Sequence, residues 1–175
     1  MKASPIIAVV ALGSFALSAC KQEAAAAPVD IRATMQQQVN PATLAIWDVG
    51  NNAMNDAGGI DPALMDDAKW AALAEAAGQL GAVARGLAGG TAFIASAPDN
   101  AEVAEGEITM AAVQGYVDAD PDAFRAEAAT LAEHADKLAA AAAAKDVEQT
   151  GELVSQMDTV CESCHARFWY PDRRL

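Results

Sequence analysis

The sequence predicts an all-α protein, an antiparallel up-down four-helix bundle, and three observations carry that expectation. Hydrophobic residues make up 53% of the 175 positions, yet alanine supplies much of this, aromatics are only 5%, and β-branched runs are scarce; alanine is the best helix former. Apolar residues recur at steps of three and four, which places them along one side of a helix. An aspartate stands ahead of each such run, the residue type that caps a helix N-terminus.

The first helix is expected to start after Asp30 and to carry Ile31, Met35, Val39, Ile46, Trp47 and Met54, with a kink at Pro41 after its second turn. Asp61-Pro62 reads as the cap and first residue of a second helix. Its Leu73, Ala76, Leu80, Val83 and Leu87 form a seam that stops at Gly89-Gly90. Residues 91–119 read as loop, broken by a short helical piece over 108–117. The third helix opens at Asp120-Pro121 and runs through Phe124, Ala128, Leu131, Ala135 and Leu138 into the alanine run ending at Ala144. That run is expected to be packed helix, since small side chains let neighbouring helices approach. The fourth begins at Asp146, with Gln149 completing a capping box, and carries Val147, Val154, Met157, Val160, Cys161 and Cys164 until Pro171 ends it. A bundle core of this kind is a usual place for a cofactor.

Ahead of the bundle, Met1-Lys2, an apolar stretch from Ile6 to Leu17, and Leu17-Ser18-Ala19-Cys20 read as an export signal. The stretch is too short to span a bilayer comfortably. Its ending resembles a bacterial lipobox, which makes residues 1–19 a lipoprotein signal peptide and Cys20 the lipid-bearing mature N-terminus. The alternative is an ordinary signal peptide with an incidental cysteine. Residues 20–29 then form an Ala-rich tether and 30–175 the folded domain. The expected address is the periplasm of a Gram-negative bacterium, on the outer membrane, with the lipid as the sole membrane contact.

Eleven basic against 24 acidic residues give a formal charge of −13. Lys2 is the one charged residue of 1–19, so its removal leaves −14. Such a surface disfavours nucleic acid as a partner, because phosphate contacts need a basic face. It suits steering toward a basic protein.

The chemistry lies near the end of the fourth helix, where Cys161-Glu162-Ser163-Cys164-His165 spells C-x-x-C-H, the attachment pattern for c-type haem. Two thiols three positions apart on one helical face can form thioethers to the two vinyl groups of a haem, and the adjacent imidazole can reach its iron. A redox C-x-x-C pair would follow a strand and open a helix. A zinc site would need two further ligands, and the remaining cysteine is Cys20. In an exported protein Cys161 and Cys164 could instead close a plain disulfide, leaving a non-haem envelope lipoprotein.

With that motif at its C-terminal end, the chain from Asp30 to Pro171 resembles the class II c-type cytochromes, cytochrome c-prime and its low-spin, six-coordinate relatives. Arg32-x-x-Met35 and the Asn40-Pro41 to Ile46-Trp47 stretch are similar to the first helix of diverged members. The resemblance implies one covalent haem, with Cys161 and Cys164 as its thioether residues and His165 as the proximal iron ligand. It places Met35 where low-spin members carry the sixth ligand, a role also open to a plain core methionine. The function implied is one-electron transfer between periplasmic redox partners, an electron carrier rather than an enzyme, with a homodimer as a further option. The alternative is a five-coordinate protein that binds NO or CO. Many cytochromes c-prime have an arginine four residues after the histidine; here that position is Trp169, with Arg167 two residues after His165.

Other residues carry weaker expectations. Arg32 is a candidate contact for a haem propionate or a solvated first-turn arginine. Phe168 and Trp169 are expected to wall the haem, and Trp47 and Trp70 to fill the core. Met54, Met110 and Met157 have only their residue type to recommend them as ligands. His134, between Glu133 and Asp136, is expected on the surface or its boundary.

Overall fold

The structure, a computed structural model, describes residues 27–56 and 58–171. The signal segment, Cys20 and most of the tether lie outside the described residues.

The first rod is α-helix over Ile31–Thr34, π-helix over Met35–Val39 and α-helix over Asn40–Asn52; the three together are α1. Asp30 caps it, its Oδ1 accepting from the Ala33 N–H at 2.9 Å. The distortion expected at Pro41 takes the form of that π-helical stretch. Proline has no N–H and its ring crowds the carbonyl four residues earlier. The chain answers by widening the turn, so that Asn40 N–H reaches back five residues to the Met35 carbonyl. α1 ends at Asn52, short of Met54, which is exposed and pairs with Ile60 in an isolated bridge.

The second helix does not open at Asp61-Pro62. Those residues make one 3-10 turn over Pro62–Leu64, Met65 is extended, and α2 runs Asp67–Ala88 from a new cap, Asp66, which accepts from Lys69 N–H at 2.8 Å. Two caps compete within six residues, and the one directly ahead of the apolar seam wins.

Residues 91–109 hold structure that the sequence did not announce. β2, Phe93–Ile94, pairs in parallel with β1, Val29–Asp30. Asp30 Oδ2 also accepts from Ala97 N–H at 2.8 Å, and Arg32 N–H donates to the Ala95 carbonyl at 3.0 Å. The start of α1 is therefore bolted to this segment. The short helix α3 is Met110–Ala119, capped by Thr109.

α4 is Pro121–Ala143 and α5 is Val147–Phe168, capped by Asp120 and Asp146 as expected. α2 and α4 run antiparallel: Asp67 meets Lys145 at one end and Arg85 meets Asp136 further along. They lie close because their seam is small, with Ala77, Ala84, Ala135, Ala141 and Ala142 buried. At Gly81 an added Cβ would sit 2.5 Å from Asp136 Oδ1. The alanine run is packed helix, as expected. α5 lies antiparallel to α4, where His134 meets Leu153, and to α1, where Gly50 abuts Val154.

The main core joins Ile46, Leu73, Leu80, Leu138 and Met157, with Trp70 buried beside them. A second cluster, around Ile31, Leu87, Val117, Phe124 and Phe168, fills the end where α1 begins and α5 finishes. His134 departs from expectation: it is buried, 8% exposed, with Nε2 2.9 Å from the Leu153 carbonyl. Among the described residues no helix is long and apolar enough to cross a membrane.

A candidate haem cavity

Near that second cluster the bundle opens into a cavity of about 570 Å³, within the range of cofactor pockets. α5 supplies Val160, Cys161, Cys164 and His165, and the chain just past it adds Trp169 and Tyr170. α1 supplies Arg32, Met35, Val39, Thr43 and Trp47, and α4 adds Glu127, Ala128 and Leu131. This explains why Trp47, Leu131 and Val160, seam residues by spacing, are only half-buried: they line a space that other side chains do not fill.

Helix geometry places the motif. Cys161 and Cys164 are one turn apart and His165 one step on, so all three face the opening. Trp169 and Tyr170 both donate their backbone N–H to the His165 carbonyl, at 2.8 and 3.0 Å, which ends the helix and folds the chain across the cavity. Tyr170 O–H donates to Glu162 at 2.5 Å and holds the fold-back.

Burial sets the protonation of the three groups. The Cys164 thiol is pushed up to about 12 by burial and by nearby Glu127 and Cys161, against the pull of Arg167. Cys161 is raised by burial and Asp158. Both described cysteines are free thiols, protonated at neutral pH. A redox pair activates its nucleophile in the opposite direction. Burial lowers His165, with Glu162 opposing, so its imidazole is neutral at pH 7 and has a lone pair to give. No cluster of three His, Cys, Asp or Glu fit to hold a metal ion occurs among the described residues.

Of the other expected site residues, Arg32, Met35 and Trp169 line the cavity. Phe168 does not. It is 4% exposed and packs edge-on to Phe124 at 5.4 Å, because one step along the helix from Arg167 turns it into the second cluster. Arg167 points outward to Asp120, at 2.8 Å. Met54, Met110 and Met157 are absent from the lining. Sequence reasoning missed Thr43, Glu107 and Glu127. The signal for Thr43 was available, since it stands three helical turns from Arg32 on the same face of α1.

A helical bundle with C-x-x-C-H at the end of its last helix and a cavity over that motif defines a haem c-type cytochrome. The chain belongs to the Cytochrome C' family, which it matches over residues 51–169. The match takes in α2 to α5 and the motif, and leaves out the α1 residues that line the cavity. No curated protein and no solved structure matches the chain.

The residues present fit the covalent haem that the family implies. Two thiols and a neutral imidazole line one wall of a largely apolar cavity. On the wall across from them Arg32 Nη1 is buried without a hydrogen-bond partner, the state expected of a guanidinium whose anion belongs to the cofactor.

Proposed function

We propose that this chain is an exported mono-haem c-type cytochrome whose work is one-electron transfer. One observation carries the reading: a single cavity joins Cys161, Cys164 and His165 on α5 to Met35 and Arg32 on α1. Bound haem would supply a reversible one-electron change at its iron. Cys161 and Cys164 would hold the ring covalently, and His165 would offer its neutral nitrogen to the iron. Met35 would offer its thioether from α1, a soft ligand that favours the reduced metal. Arg32 would pair with a propionate, and Trp169 and Leu131 would keep water from the ring.

The export signal and Cys20 support a periplasmic, outer-membrane-anchored lipoprotein, with unidentified periplasmic redox proteins as partners. A homodimer is compatible with this reading. The acidic surface gives no support to nucleic-acid binding.

The test is the visible spectrum of the exported protein, oxidised, reduced, and reduced under carbon monoxide, for wild type and Met35→Ala. Sharp low-spin bands that resist carbon monoxide in wild type, lost in the variant, are the expected result. A second reading, a five-coordinate protein that binds NO or CO, is favoured by the match to Cytochrome C' itself, which leaves Met35 outside its bounds. A wild type that is already high-spin and takes up the gas would put it first. A colourless protein would return the chain to the disulfide alternative.

A further inference from the structure

An imidazole that serves an iron needs its ring held at one rotation, and the common device is a hydrogen bond on the second ring nitrogen. His134 in this same bundle has a bond of that kind, to the Leu153 carbonyl. Among the described residues no hydrogen bond does this for His165; burial and then Glu162 act on its imidazole. The ring that lies against it is Tyr170, edge-on, with centroids 6.1 Å apart and planes at 66°.

Tyr170 is itself held at both ends. Its backbone N–H donates to the His165 carbonyl at 3.0 Å, beside the bond from Trp169 at 2.8 Å. It stands directly before Pro171, which narrows the backbone conformations open to it. Trp169, one residue earlier, packs on the small cluster of Ala95, Met110 and Val113. At the far end of the side chain the phenol O–H donates to Glu162 Oε2 at 2.5 Å, the length of a bond to an ionised carboxylate. Glu162 stands one turn before His165 on the same side of α5, so Tyr170 reaches from the one to the other. The C-x-x-C-H pattern leaves its two middle positions open, and in this chain the first of them supplies the anchor.

We propose that Tyr170, anchored by Glu162, is the positioning residue for His165: it fixes the rotation of the imidazole and so the plane that this ring presents to a haem iron. The proposal rests on the haem reading and is independent of whether Met35 binds the iron. Orientation of a ligating ring by the groups around it is one of the means by which a protein tunes a metal. An anchored tyrosine gives one orientation, and a loosened one gives a spread.

The test uses the exported, haem-loaded protein in a Met35→Ala background, reduced, where the iron–histidine stretching band is read by resonance Raman. Tyr170→Phe keeps the ring and removes the anchoring hydroxyl. Glu162→Ala removes the acceptor, and Glu162→Gln keeps an acceptor while removing the charge. The band should shift and broaden alike in Tyr170→Phe and Glu162→Ala and keep its width in Glu162→Gln. Tyr170→Phe, which alters no charge at neutral pH, should also move the reduction potential. An unmoved band in Tyr170→Phe, even with a lowered thermal midpoint, would overturn the proposal, because a clamp on the chain end alone predicts that result. A band that moves equally in Glu162→Gln and Glu162→Ala would overturn it as well, since charge then accounts for the effect. Glu162 is exposed and phenylalanine keeps the packing of the tyrosine ring, so these variants report on folded protein. Haem staining separates the two levels: a stained wild type with no Tyr170 effect sinks this inference alone, whereas an unstained one sinks the haem reading with it.

Discussion

His134 shows how a single residue departs from its sequence neighbourhood. Glu133 and Asp136 beside it suggest a surface position, yet Leu131, His134 and Leu138 are themselves spaced by three and four, and that spacing decides its burial. Burial holds its pKa below the ordinary 6.5, Lys137 adds to the effect, and the hydrogen bond to Leu153 opposes it. The ring is therefore neutral, with Nε2–H donating to the Leu153 carbonyl. A pKa lowered on folding gives stability that is complete above the unfolded value of 6.5 and is lost as pH falls through the folded value. The thermal midpoint of the haem-loaded protein should accordingly be flat from pH 8 to about 7 and fall toward about pH 5. His134→Gln, which keeps a donor without the titration, should flatten that fall. The carboxylates titrate in both proteins, so the difference between the two isolates His134, and parallel curves would refute the assignment. Phe168 is the converse lesson. Proximity to the motif in sequence suggested the haem wall, but a helix turns about 100° per residue, and that step sends it to the Phe124 cluster.

Among the elements, three of the four long helices were legible because capping and periodicity agree: Asp30, Asp120 and Asp146 each accept from the N–H three residues on; the second was legible by its apolar seam, while its cap is Asp66 and not the expected Asp61. The pairing of Val29–Asp30 with Phe93–Ile94 was not legible, since two-residue strands have no period to read and their partners are 64 positions apart. The end of α4 carries a feature that no pattern announces. Asp146 N–H reaches the Ala141 carbonyl and Lys145 N–H the Ala142 carbonyl, a Schellman ending, and Lys145 takes the left-handed conformation at φ 55°. A residue with a Cβ is strained there by about 1 kcal/mol or slightly more. Lys145→Gly removes the strain and loses only an exposed ion pair to Asp67, which contributes little. The thermal midpoint should rise by roughly 2–4 °C for a domain of this size. A fall, reproduced by Asp67→Ala, would mean that the ion pair outweighs the backbone.

For the whole molecule, the motif, the bundle and the acidity could each be read from sequence, whereas the cavity could not, because it is where four elements fail to meet. Its walls come from residues as distant as Arg32 and Tyr170, and two carboxylates, Glu107 and Glu127, stand among them. A charge of −13 with carboxylates at the cavity gives the proposed electron transfer an electrostatic character that salt can expose. At about 0.01 M salt the field extends roughly 30 Å and should gather cationic reactants; at about 1 M it extends roughly 3 Å. Oxidation of the reduced protein by a cationic cobalt complex should slow as salt is raised over that range, and oxidation by ferricyanide should quicken. The pair of opposite slopes separates steering from a salt effect on the cofactor itself, which would move both rates the same way. Glu107→Gln with Glu127→Gln tests whether the field is local. A shallower slope than the loss of two charges from the total would give places it at the cavity, and a slope unchanged by the double variant assigns the steering to the acidic surface as a whole.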